Sequence, residues 1–152
     1  MGIYLPIPQV SVFLDNRPGS LYEAISQCDK NQIRIFALTI ADAGEFGLVR
    51  LITEDPEKTS KLMIEAGFSL AKAKKNTEVS AIFTSDNSRL SKVTKILGDN
   101  NLNIEYAYSS AVHIEGKVAL IIRPSNVEAA EKLLKSNGIS VLSLEELKND
   151  FK

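Results

Sequence analysis

Val10-Ser11-Val12-Phe13-Leu14-Asp15-Asn16-Arg17-Pro18-Gly19-Ser20-Leu21-Tyr22 is the stretch on which the reading of this chain turns. Gln9 to Leu14 is rich in β-branched and aromatic residues and ends at a turn signal, so it predicts a strand. From Ser20 the period changes. Leu21, Ala24, Ile25 and Cys28 fall at i, i+3, i+4 and i+7, one face of a helix over Ser20 to Lys30. Ser20 reads as its N-cap, with Glu23 three residues on completing a capping box. Between strand and helix, Pro18 fixes the turn and Gly19 removes the side chain. Backbone amides at the helix head are thereby exposed, and with the helix dipole they suit a carboxylate.

Working outward, the first half predicts strand, helix, strand, strand, helix, strand. Ile33 to Ile40 is a second strand and Gly47 to Thr53 a third, joined by a hairpin through Gly44. Asp55 caps a second helix with Pro56 at its first position. Its apolar stripe is Thr59, Leu62, Met63 and Ala66, and Gly67 ends it. Phe68 to Ala73 is a fourth, weaker strand. The second half repeats the order: Thr77 to Phe83, a helix lined by Leu90, Val93, Thr94 and Leu97, Leu102 to Ser109, Lys117 to Arg123, a helix over Val127 to Lys135, and Ile139 to Leu142. Ser143 with Glu146 caps a short last helix.

At an offset of 69, Val10 falls on Val79, Ser11 on Ser80, Ile35 on Ile104, Gly47 on Gly116 and Leu51-Ile52 on Leu120-Ile121. Later the offset becomes 71, placing Gly67 on Gly138. The chain therefore reads as two units, residues 1–74 and 75–152, joined by the lysine-rich linker Lys72 to Asn76. Each βαββαβ unit implies an α+β, ferredoxin-like antiparallel sheet with two helices on one face. Phe13, Val49, Leu51, Ile82 and Ile121 can lie on the helix-covered face or the bare one. A bare apolar face demands cover, which predicts association of the units and a homodimer.

The opening segment resembles the start of an ACT domain, where a first strand runs into a turn reading roughly D-x-P-G-x-L. The resemblance extends over about residues 9 to 142, through Gly47-Leu48-Val49-Arg50-Leu51, Asp55-Pro56-Glu57-Lys58 and Asn103-Ile104. It implies a regulatory, amino-acid-binding tandem of ACT domains. In such members, the loop of one domain and the second strand of its neighbour build a shared site. The resemblance so assigns ligand binding to Leu14, Asp15, Asn16, Arg17, Pro18, Gly19, Ser20 and Leu21, facing Asn103 and Ile104. The second half departs from the pattern. Thr84-Ser85-Asp86-Asn87-Ser88-Arg89 has lost the Pro-Gly pair, and an equivalent second site is in doubt there.

Each of these residues has a plainer reading. The turn serves also as a bare strand-to-helix connection, and Asn103 as a turn cap. Arg50 and Arg123 read as charges on a solvated face or paired with a carboxylate. Tyr106 and Tyr108 pack on a sheet or stack on a ligand, Cys28 is core, and His113 is a surface residue of a hairpin.

The composition narrows the function. There are 18 basic and 19 acidic residues, a net charge of −1, which offers no excess to hold nucleic acid. The third strands carry no aromatic residue for base stacking. One cysteine and one histidine leave no metal cluster. Arg17 lies where an acylphosphatase-like enzyme would need an arginine, but its loop has a single glycine, and no Ser-His-Asp set or P-loop is present. No stretch reads as a signal peptide or a membrane span. The expectation is a cytoplasmic, non-catalytic sensor without a cofactor, binding a free amino acid and acting on an enzyme in trans. The alternative is a docking subunit without a ligand.

Overall fold

The computed structural model describes residues 6–42, 44–84, 87–114 and 117–150. In chain order its elements are β1 (Ile7–Pro8), β2 (Val10–Asp15), α1 (Ser20–Lys30), β3 (Ile35–Asp42), β4 (Phe46–Thr53), α2 (Pro56–Glu65), β5 (Ser69–Leu70) and α3 (Lys74–Thr77). Then follow β6 (Glu78–Thr84), α4 (Asn87–Asp99), β7 (Ile104–Ile114), β8 (Lys117–Pro124), α5 (Val127–Ser136), β9 (Val141–Leu142) and α6 (Leu144–Asp150). The chain divides into two compact units. One is Pro8–Thr77, and the other runs from Glu78 onward and takes in Ile7.

In the first unit the strands run β3-β4-β2-β5, all antiparallel. Strand alternation puts Val10, Val12 and Leu14 of β2, with Val49 and Leu51 of β4, on one face. There they pack with Ala24 and Cys28 of α1 and Met63 of α2, all nearly inaccessible to water. Each of the valines, leucines and the methionine among them contributes roughly 1.5–3 kcal/mol when fully buried. The second unit repeats this as β7-β8-β6-β9, with Ile82 and Ile122 under Val93 and Leu97 of α4 and Ala130 and Leu134 of α5. The expected ferredoxin-like βαββαβ pair is what the chain forms.

These contacts settle which face each strand residue takes. Val49, Leu51 and Ile82 lie under helices. Phe13 and Ile121 lie on the opposite face, Phe13 partly exposed and Ile121 buried. In α4 the stripe is turned from the expected one. Val93 and Leu97 are buried and Ile96 packs beside them, while Leu90 and Thr94 are exposed. Two fourth strands are shorter than expected, Ser69–Leu70 and Val141–Leu142. The lysine-rich linker segment has structure of its own. Residues 74–77 form a helical turn, and Asn76 is tied into the first unit. Its carbonyl accepts from Ser11 Oγ at 2.6 Å and Gln9 Nε2 at 3.0 Å, and its side-chain oxygen accepts from Arg50 at 3.3 Å.

The repeat holds, but its register differs from the sequence match. Val10 pairs with Leu51 and Ser80 with Ile122, so β2 maps onto β6 at an offset of 70. Ile35 pairs with Thr53 and Ile104 with Pro124, so β3 maps onto β7 at 69 but β4 onto β8 at 71. Two extra residues therefore lie within β7, where its pairing with β8 shifts between Ser109 and His113. The helix ends agree with 69: Gln32 and Asn101 both follow their helices with φ near 58°, at 57° and 58°.

Helix starts follow the expected chemistry at two places. Asp55 accepts from Lys58 N at 3.0 Å with Pro56 inside the helix, and Ser143 and Glu146 form a reciprocal capping box. Asp55→Ala should cost about 1 kcal/mol of stability, read as a lowered urea midpoint at unchanged slope.

A buried carboxyl sits in the second unit. Glu131 of α5 is 3% exposed and accepts from Ser80 Oγ at 2.6 Å. Burial raises its pKa; the Ser80 hydrogen bond and the charge of Lys135 act the other way. A raised carboxyl pKa means the folded state holds a proton that the unfolded chain has released. Its contribution is complete below the ordinary value of 4.5 and is lost as pH rises through the folded value. Glu131→Gln should therefore gain stability relative to the parent as pH rises above 4.5, in urea titrations at a series of pH values.

Candidate functional site

The last helix-facing residue of β2 is Leu14, which leaves Asp15 in solvent at the end of the strand. The chain then turns in four residues. Arg17 N donates to Asp15 O at 2.9 Å and Ser20 N to Arg17 O at 3.3 Å. Gly19 takes φ 89°, a left-handed conformation that a side chain disfavours. The cap is here corrected. Gly19, not Ser20, is the N-cap of α1; no side chain caps it, and Ser20 is buried inside the helix. Glu23 does not close a capping box. Its carboxylate takes the Arg17 guanidinium at 3.1 Å, and Asp15 stands 3.7 Å from the same group. Glu23, and less strongly Asp15, raise the pKa of Arg17 further above its ordinary value.

Leu14, Asp15, Arg17 and Ser20 line one cleft of about 350 Å³. Phe13, Glu23, Phe46, Ala66, Gly67, Phe68 and Ser69 complete it. The sequence reading missed these. Phe13 and Phe46 carry the only signal that could have found them, as aromatics at an outward strand position and at a strand start. Leu21 instead packs on the core, and Pro18 and Gly19 shape the turn. Asn16 faces elsewhere. Its amide donates to Gly44 O at 2.8 Å and Asp42 Oδ1 at 3.4 Å, and its backbone N–H to Glu45 O at 3.0 Å. It fastens the loop to the β3–β4 hairpin.

Asn103 and Ile104, in the second unit, line a groove of about 400 Å³ with Thr94, Gly98, Asn101 and Leu102. The Asn103 backbone is bonded to Ser125 in both directions, at 2.8 and 3.2 Å. In the first unit Arg34 and Glu54 make the matching pair. The Thr84 to Arg89 segment lies partly outside the described residues, as does the His113 side chain.

Of the two readings for Arg50 and Arg123, Arg123 takes the carboxylate pair. Arg123 is 8% exposed, donates to Glu78 O at 2.7 Å and stands 3.5 Å from Glu105; Arg50 is half-buried against Asn76. Tyr106 and Tyr108 stack on each other along β7, centroids 6.5 Å apart. Cys28 is buried, as expected. Among the described residues no group of three or more His, Cys, Asp or Glu could hold a metal ion, and no helix is long and apolar enough to cross a membrane.

The profile of the ACT domain pair family matches residues 5–150. The chain belongs to that family. A protein of Bacteroides thetaiotaomicron of known structure is 30% identical, with a TM-score of 0.83 over 94% of this chain and 96% of that one. The ligand-free regulatory subunit of aspartate kinase from Thermus thermophilus is 12% identical, TM-score 0.58, over 90% of this chain and 97% of that one. A structure of aspartokinase alpha and beta subunits is 17% identical, TM-score 0.54, over 90% and 96%. These last two share the fold. No curated protein matches the chain.

Gly19 tests the loop geometry. A Cβ there meets nothing within 4 Å, so Gly19→Ala carries only the backbone cost of the left-handed conformation. The variant should lose about 1–2 kcal/mol in denaturant unfolding while keeping its circular dichroism spectrum.

Proposed function

We propose that this ACT domain pair is a non-catalytic regulatory sensor that binds a free amino acid at the loop heading α1. The observation that carries the reading is the cleft itself. Residues 14, 15, 17 and 20, chosen from the turn pattern, line one concavity at the start of a helix that no side chain caps. First-turn amides lack intrahelical partners and attract a carboxylate. Asp15, which lines the same cleft, offers an acceptor for an ammonium group. A free α-amino acid carries both charges.

The Asn103–Ile104 segment is proposed as the second contact, the homodimer as the assembly, and an enzyme regulated in trans as the target. The cytoplasm is the proposed compartment. Membership of the ACT domain pair family supports regulation, and the shared fold with an aspartate kinase regulatory subunit agrees with it. Ligand would act by binding one association state or shape more tightly than another.

Thermal unfolding of the full chain against each protein amino acid tests this. A ligand at about 100-fold above its Kd adds about 2.7 kcal/mol to the folded state. One amino acid, or one chemical group of them, should raise the midpoint by several degrees, and sedimentation equilibrium should show a ligand-dependent dimer. Asn16→Ala and Asn103→Ala are then titrated separately. Unchanged affinity in both would remove the composite site. No shift with any amino acid would overturn the sensor reading in favour of a docking subunit.

A further inference from the structure

The cleft at the head of α1 has a chemical bias that narrows its ligand. Three aromatic rings line it: Phe13 of β2, Phe46 of β4 and Phe68 before β5. Phe13 and Phe46 stand edge to face, with centroids 5.7 Å apart and planes at 72°. Both keep much of their surface in water, 38% and 46% exposed. An edge-to-face pair left open on one side takes a further ring readily, because the added ring is drawn to the same edges and faces and removes apolar area from water.

The polar lining disfavours charged ligand side chains. Asp15 and Glu23 are acidic, and Arg17 is the cation among the cleft residues. Arg17 is engaged by both carboxylates, at 3.7 and 3.1 Å. An acidic ligand side chain would meet two carboxylates and a guanidinium already held. A basic one would compete with Arg17 for the same two oxygenated groups. At about 350 Å³ the cleft has room for a large side chain, and a glycine or alanine ligand would leave the rings wet.

We propose that the ligand is an α-amino acid with an aromatic side chain, whose ring packs on the Phe13–Phe46 pair in the cleft that Phe68 also lines. This rests on the sensor reading above and specifies it.

Isothermal titration calorimetry on the full chain tests the class, with phenylalanine, tyrosine and tryptophan against leucine, lysine, glutamate and glycine. An aromatic member should bind tightest, by about tenfold or more over lysine, glutamate and glycine. Phe13→Ala and Phe46→Ala replace partly exposed side chains, so the fold should persist, checked by circular dichroism. At least one should weaken the aromatic ligand by about tenfold. Tightest binding by a non-aromatic amino acid would overturn the aromatic class and leave the sensor reading standing. Unchanged aromatic affinity in both variants would also overturn it. No binding by any amino acid would overturn the sensor reading and this inference with it.

Discussion

The first unit depends on the burial of alternate residues of β2 beneath two helices. Val10, Val12 and Leu14 must all face α1 and α2, because a slip of one residue would turn the whole set to the other face. That constraint reaches the cleft directly. With Leu14 inward, Phe13 must point outward, where it meets Phe46, and Asp15, paired with Phe46 at the end of the strand, stands in solvent. The core thus decides which side chains the loop presents. The same demand in the second unit puts Ile82 and Ile122 beneath α4 and α5.

Much of this plan was legible because the signals were local. Asp55-Pro56 and Ser143 with Glu146 fix helix starts by short-range hydrogen bonding, and both form as read. Gly67 and Gly138 take positive φ after their helices. The helical period of α1 and α2 picks out Ala24, Cys28, Thr59 and Met63, all buried.

What was misread was long-range. The third strands match at 69 by identity but at 71 by pairing. The two differ by two residues, and strand alternation has a period of two, so Leu51 lies on a helix-facing residue in either alignment. Nothing in the apolar pattern could separate them. In β6, Val79, Ser80, Ala81 and Ile82 are all buried. A strand buried on both faces has no alternation to read, and the one-residue shift passed unseen. The Ser20 cap failed for another reason. Ser-x-x-Glu fits a capping box, but the helix begins one residue earlier than that motif requires: with Gly19 as N-cap there is no cap side chain, Glu23 falls one position past the one that reaches back, and it pairs with Arg17 instead. The aromatic lining was not legible either, since Phe13, Phe46 and Phe68 are separated in sequence and come to one cleft only through the fold.

The Asn16 side chain has a mechanical meaning. Its hydrogen bonds to Gly44 and Asp42, with its backbone bond to Glu45, couple the loop to those residues of the hairpin. Such a coupling acts in both directions. Whatever grips the hairpin biases the loop by the same free energy with which an occupant of the loop biases the hairpin. The asparagine of the turn is thus the residue through which a push on Asp42, Gly44 or Glu45 reaches the loop.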